Sequence, residues 1–298
     1  MKHLELQSQE FIDLREGFRQ YLETLGYAAP TVYNLPNALN EVFYHLEKNN
    51  VTSLVGIGDY DLDNFWKELQ QRPNERRGGG LSIGYLKKFD QAVTAFAKYL
   101  LSVKGINLVY HFDLPVKEDV RDIVYLTQDE IKTIYDEIDT TTTGTRDRAI
   151  MAVFYGCGLR RSEGVLLDLK DIQLEANRIH VRHGKGNKER LVPMAARVGQ
   201  DIREYLIQRS KLLKSKREPA LFLNSRGKRL SGQMMYMRLK YLVSQTSITK
   251  RVGLHTLRHS IATHLLQNGM SLEKIGKFLG HSSLESTQIY THLIDGEV

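Results

Sequence analysis

Arg160 stands just after a glycine break and three residues ahead of Glu163, in the run Gly158-Leu159-Arg160-Arg161-Ser162-Glu163. A guanidinium so placed can be held in one orientation for a phosphate, although the same run also suits an ordinary surface helix start. Lys185 stands between glycines in His183-Gly184-Lys185-Gly186-Asn187-Lys188. Its ammonium could enter a DNA groove, protonate a leaving oxygen or simply be solvated. His255 and Arg258 are related as i and i+3, which on a helix sets a proton acceptor beside a phosphate ligand. His259 and His264 fall on other faces in this reading, as surface or structural residues. No His-Glu-x-x-His arrangement or cysteine supports a metal, and no cofactor is expected. His281 follows Gly280, and Tyr290 comes nine residues after His281. With 15 tyrosines in the chain, half-buried packing is the ordinary role for any one of them. As a set, these residues match one chemistry. Moving a phosphoryl group from DNA to a side chain needs a nucleophile, cations on the non-bridging oxygens and an acid for the departing 5′ oxygen. A phenol, with an ordinary pKa of ~10, is a poor base but a fair leaving group, so the bond it forms can be reversed without ATP or a metal.

Those side chains need a frame. Phe11, Leu14, Phe18, Tyr21, Leu22 and Leu25 recur at helical steps, and Gly26 is a stop. A second helix carries Leu39, Val42, Phe43 and Leu46, and Pro36 near its start must kink or delimit it. A short helix over 62–69 leads to the basic loop 72–80, with Arg76 and Arg77. Ser82 then caps a long helix whose apolar face is Tyr85, Phe89, Val93, Phe96 and Leu100, with Lys87 and Lys88 off that face. Helical periodicity lapses over 107–121, around Pro115. The chain is therefore divided into a helical domain over 1–112, a linker over 113–122 and a second domain over 123–298. In the second domain Thr127 and Glu130 form a capping box, and 146–167 is helical around an interruption at 156–158. A period of two marks three short antiparallel strands at 171–174, 178–182 and 189–192, the last two joined by the hairpin that bears Lys185. From Val198 to the end helices return. Ser282 and Glu285 make a last capping box, placing Tyr290 two to three turns into the final helix.

At 298 residues, with 41% hydrophobic and 26% charged residues, the chain has the composition of a globular protein of two ordinary domains. The start, MKHLELQSQEF, lacks the apolar stretch of a signal peptide, and no run nears the ~18 apolar residues of a membrane span. The single cysteine, Cys157, allows no internal disulfide. A cytoplasmic protein with no membrane partner is expected. The net charge of +7 is concentrated: residues 183–229 carry 13 Lys/Arg against 4 Asp/Glu, leaving the rest slightly acidic. A basic block on a folded chain suits a polyanionic partner, through counterion release.

The segments YGCGLRRSE (155–163), GKGNKERLVP (184–193), HTLRHSIATHLL (255–266), LGHSS (279–283) and IYTH (289–292) together resemble the signature of the tyrosine recombinases. This is the phage-integrase family, and its Xer-like bacterial members are most similar. The resemblance covers nearly all of the second domain and is looser over the first. It implies a mainly α, two-domain DNA clamp. A helical, SAM-like core-binding N-terminal domain would lie across the DNA from a mostly helical catalytic domain with a small antiparallel three-stranded sheet. It implies a site-specific recombinase that acts at the nucleoid on double-stranded DNA bearing its recombination site, as a homotetramer (a dimer of dimers). Tyr290 would attack the scissile phosphate to give a 3′-phosphotyrosine and a free 5′ hydroxyl. Arg160 and Arg258 would hold the non-bridging oxygens, and Lys185 would be the general acid. His255 would take the tyrosine proton, His281 would bind a phosphate oxygen, and Glu163 would fix Arg160. Arg76, Arg77, Lys87, Lys88, Lys188 and Arg190 are further candidate DNA contacts, each equally readable as a solvated charge. Two readings stand beside it: a type IB topoisomerase that relaxes DNA by the same chemistry, and an architectural DNA-binding protein without catalysis. Only eight residues, THLIDGEV, follow Tyr290, where Xer-like relatives imply a longer segment docked into a neighbouring protomer. Either the subunits are coupled in another way, or this sequence stops short of the whole. Pro36 is a smaller departure.

Overall fold

The computed structural model describes residues 4–75, 78–114, 123–182, 189–214, 217–281 and 285–290. The chain divides into two compact units, Met1–Val120 and Arg121–Val298, with separate apolar cores. Most of the expected linker, and with it Pro115, lies outside the described residues, as do Arg76 and Arg77.

The first unit is built on α1 (Gln9–Thr24), α2 (Ala29–Lys48), α3 (Asp59–Gln71) and α4 (Ile83–Tyr99). Ser8 and Ser82 cap α1 and α4 by accepting from the N–H groups of Phe11 and Tyr85, which satisfies donors that a helix start leaves unpaired. The core is aromatic. Phe11 stacks on Phe43 at 4.4 Å, Phe96 meets Phe18 and Phe43 edge-on, and Phe65 leans on Phe89. Pro36 does not delimit α2, which starts seven residues earlier and runs through it. The proline lacks an N–H to give the carbonyl one turn back, but Val32, Leu35, Pro36 and Leu39 are all buried there. Packing outweighs the missing bond. Residues 107–114 are not a free tether either. Phe112 stacks on Trp66 at 4.4 Å, and Trp66 Nε1 donates to the Asp113 carbonyl at 3.0 Å.

The second unit opens with α5 (Gln128–Asp136), where both bonds of the Thr127–Glu130 capping box form. There follow α6 (Thr142–Met151), a π-helical turn over Ala152–Gly156 and α7 (Arg161–Leu166). The sheet comprises β1 (Ile172–Gln173), β2 (Arg178–Val181) and β3 (Arg190–Pro193), antiparallel in the order β1-β2-β3. Ile172 faces Ile179, and Ile179 faces Val192, so one side of the sheet enters the core. The helices α8 (Ala196–Arg209), α9 (Gly232–Ser244), α10 (Leu254–Gln267), α11 (Leu272–Leu279) and α12 (Glu285–Gln288) complete the unit. Two expectations fail here. The return to helix after Val198 is broken between α8 and α9 by a segment that forms isolated bridges, Asp168 with Ala220 and Leu223 with Arg229. The described part of α12 stops at Gln288, so Tyr290 sits in the turn that follows, its N–H bonded to the Thr287 carbonyl at 3.1 Å. Ser282, of the expected last capping box, lies outside the described residues.

Candidate active site

The site is assembled where the glycine break before α7 meets α10 and the end of α11. Gly158 has φ +59°, and a Cβ there would lie 2.7 Å from the Leu279 side chain. Only a residue without Cβ allows both the left-handed turn and this approach. The turn delivers the Gly158 carbonyl to Arg258 Nη1 at 2.5 Å and makes Arg160 the N-cap of α7. Gly280, at φ +67°, ends α11 in the same conformation. Its carbonyl accepts from Arg160 Nη2 at 2.8 Å, while the Leu279 carbonyl accepts from Arg258 Nη2 at 2.7 Å. Two guanidiniums are thus fixed by successive carbonyls of one helix terminus, which favours cations there.

Glu163 holds the group together. Its carboxylate accepts from the Arg160 N–H and side chain, and from both terminal nitrogens of Arg190 at 2.8 and 2.9 Å. Burial pushes its pKa up, but the Arg190 and Arg160 hydrogen bonds outweigh this and hold it down at about 2. Two guanidiniums therefore share one carboxylate, and Arg258 lies within reach of their charge. Arg258, only 4% exposed, has its pKa lowered to about 10, by burial first and then by the charge of Arg160. A phosphate placed among these groups relieves that repulsion.

Tyr290 is 1% exposed and packs on Ala262, Ile275 and Leu279. Burial raises its pKa, while Arg258 and Arg160 pull the other way. His281 hydrogen-bonds Thr287 Oγ1 through Nδ1 at 2.8 Å, and its ring lies nearly parallel to that of Tyr290 at 6.5 Å. Burial, then Arg258 and Arg160, lower its pKa to about 4. The hydroxyl of Tyr290 is engaged by His259 Nδ1 at 2.9 Å. The expectation that put His259 on another face is corrected by geometry, since i and i+4 share a helix face and His259 is four residues beyond His255. That spacing was the available signal. His255 is exposed and makes no hydrogen bond to Tyr290; partial desolvation, Arg258, Arg160 and Arg161 lower its pKa. His264 is buried and structural, tied to the Tyr155 hydroxyl at 2.9 Å.

The remaining candidates divide. Arg190, a candidate DNA contact, pairs with Glu163, its side chain only 13% exposed. Lys185 and Lys188 lie in the hairpin 183–188, outside the described residues. The feet of that hairpin are described. Arg182 pairs with Asp168 and Asp171 at 2.8 and 2.7 Å, and Arg190 pairs with Glu163. In the first unit Lys87 is exposed, and Lys88 is half-buried beside the Tyr85 ring.

Residues 124–297 match the phage integrase family. The tyrosine recombinase XerD of Mycobacterium tuberculosis is 33% identical over 309 residues, covering 98% of this chain and 94% of the relative. XerD of Staphylococcus saprophyticus is 32% identical over 278 residues, covering 86% and 93%. A crystal structure of the XerH site-specific recombinase bound to difH substrate, a pre-cleavage complex, shares the fold. Its TM-score is 0.68 at 24% identity, over 98% of this chain and 95% of that one. With a buried tyrosine set among paired arginines and histidines, and with relatives matched over nearly its full length, the chain belongs to the phage integrase family as a tyrosine recombinase of the Xer type.

Proposed function

We propose that the chain cleaves and rejoins DNA at a specific site through a covalent bond to Tyr290. The observation that carries this is one phenol held within the field of Arg160 and Arg258, whose guanidiniums are fixed by the Leu279 and Gly280 carbonyls and balanced by a single carboxylate. Such a preorganised cationic pocket stabilises the charge that grows on a phosphorane-like transition state. Tyr290 attacks the scissile phosphorus, giving a 3′-phosphotyrosine and a 5′ hydroxyl. Rejoining is the same step reversed, with another 5′ hydroxyl as attacker. Arg160 and Arg258 hold the non-bridging oxygens, joined by His281 through its other ring nitrogen and by His255 on the solvent side of Arg258. Lys185, in the segment 183–188 between β2 and β3, protonates the departing 5′ oxygen. Glu163 and Arg190 fix Arg160.

The partner is double-stranded DNA carrying a recombination site, met in the cell at the nucleoid. The unit over 1–112 contacts it through Lys87, Lys88, Arg76 and Arg77, and the unit over 123–298 carries the chemistry. Four protomers around two duplexes supply two exchanges of strands. The DNA-relaxing and purely architectural alternatives are not favoured by the relatives. A nicked suicide duplex tests the proposal. The wild-type chain is expected to trap covalent protein on the cleaved strand, and Tyr290→Phe to trap none while still shifting the duplex in a gel. Equal trapping by both would overturn Tyr290 as the nucleophile.

A further inference from the structure

Among the described histidines, the one hydrogen-bonded to the Tyr290 hydroxyl is not among those expected to act. His259 Nδ1 is 2.9 Å from the Tyr290 hydroxyl, with the two rings 5.7 Å apart and tilted by 52°. The tyrosine hydroxyl is shut off from solvent, so no bulk water is at hand to take its proton. We propose that His259 is a catalytic residue of the strand-cleavage step, accepting the Tyr290 proton at Nδ1 and returning it on rejoining. This rests on Tyr290 being the nucleophile.

The Tyr290 oxygen forms its bond to phosphorus while its proton moves to Nδ1. The bond from phosphorus to the 5′ oxygen breaks, its electron pair stays on that oxygen, and an acid supplies the proton there. In rejoining, the 5′ hydroxyl attacks and the His259 imidazolium reprotonates the departing phenolate. The imidazole must be neutral beforehand. Burial, then His255 and Arg258, lower its pKa to about 4, which guarantees that form. A bound phosphodiester offsets the arginine charge and restores basicity when it is needed. His255 is exposed one turn away and is not placed for this transfer.

Single-turnover cleavage of the suicide duplex tests the idea, with the wild-type rate as reference. If wild type itself forms no covalent complex, the failure lies with the nucleophile assignment and not with His259. His259→Ala is expected to slow covalent-complex formation about a hundredfold, the usual size of a general-base contribution. His259→Asn, whose amide reaches the position of Nδ1 but takes up no proton, is expected to stay as slow as His259→Ala, and His259→Gln likewise. Replacing Tyr290 by 3,5-difluorotyrosine, a more acidic phenol, should narrow the gap between His259→Ala and wild type about tenfold or more, since less help is needed to lose the proton. Folding of each variant is checked by thermal melting, and His259→Asn with the fluorinated tyrosine serves if the alanine variant fails to fold. The proposal is overturned if His259→Ala cleaves within about twofold of wild type, or if the acidified phenol leaves the gap unchanged.

Discussion

Glu163 carries one negative charge between two guanidiniums, and its amide analogue would keep the shape while removing that charge. In Glu163→Gln, one oxygen must serve donors that now use two, and Arg160, Arg190 and Arg258 repel without compensation. We expect a stability loss of about 2 kcal/mol or more in urea denaturation. Single-turnover cleavage should slow by about ten- to a hundredfold, because a misplaced guanidinium loses the transition state more than the ground state. A variant that cleaves at the wild-type rate would remove Glu163 from the positioning of Arg160. Gly280→Ala adds a second test. The left-handed φ alone costs about 1–2 kcal/mol. The new Cβ would also lie 2.7 Å from Arg190 Nε, so cleavage should fall together with the melting temperature. At this scale much of the site is visible in the sequence: Arg160, Arg258, His281 and Tyr290 come together as a cluster. Two residues resisted. Arg190 looks like one more basic residue of a basic run, because its carboxylate partner is 27 residues away. His259 reads as lying on another helix face, because its tyrosine partner is 31 residues on.

Among the elements, what periodicity and capping can report was legible. The apolar spacing of α1 and α4, the Ser82 cap and the Thr127 box translate into formed hydrogen bonds and buried faces, except at Leu25, which is exposed at the end of α1. Thr127→Ala should therefore cost about 1 kcal/mol, read as a shift of the urea midpoint at unchanged slope. Features decided by distant partners were not legible. Pro36 is tolerated because its neighbours are buried against other helices, and the break after α8 is held by Asp168 and Leu167 from a different part of the chain. Asp168 also ties the sheet to the α7 segment, accepting from Arg182 at 2.8 Å and Arg229 at 2.5 Å. Asp168→Ala leaves Arg229 without its carboxylate partner at a half-buried site, while Arg182 keeps Asp171. It should destabilise by about 1.5–3 kcal/mol in urea. Because Arg182 is one foot of the hairpin that bears Lys185, cleavage should slow further than the unfolded fraction explains.

For the whole molecule, two separate cores imply two responses to acid. His259 and His281 have folded pKa values of about 4 against 6.5 for a free histidine. The unfolded chain therefore binds protons that the folded chain refuses, and stability falls as the pH drops from about 6.5 towards 4. Glu163 acts lower down, its stabilisation complete above 4.5 and lost as the pH falls through about 2. Asp201 works in the opposite sense, since burial raises its pKa and its protonation favours the folded state. All four groups lie in the unit over Arg121–Val298. The one tryptophan of the chain, Trp66, is buried in the other unit and reports on that core alone. Between pH 7 and 5, the urea midpoint seen by far-ultraviolet circular dichroism should move down and split off an early phase, while the Trp66 fluorescence midpoint moves less. His259→Asn and His281→Asn together should weaken the early phase, because neither amide takes up a proton in that range, and leave the share carried by His255 and His264, whose pKa values burial also lowers. Equal shifts of both probes, or an acid response untouched by the double variant, would mean that other groups carry the linkage and that the two histidines are not held neutral by the fold.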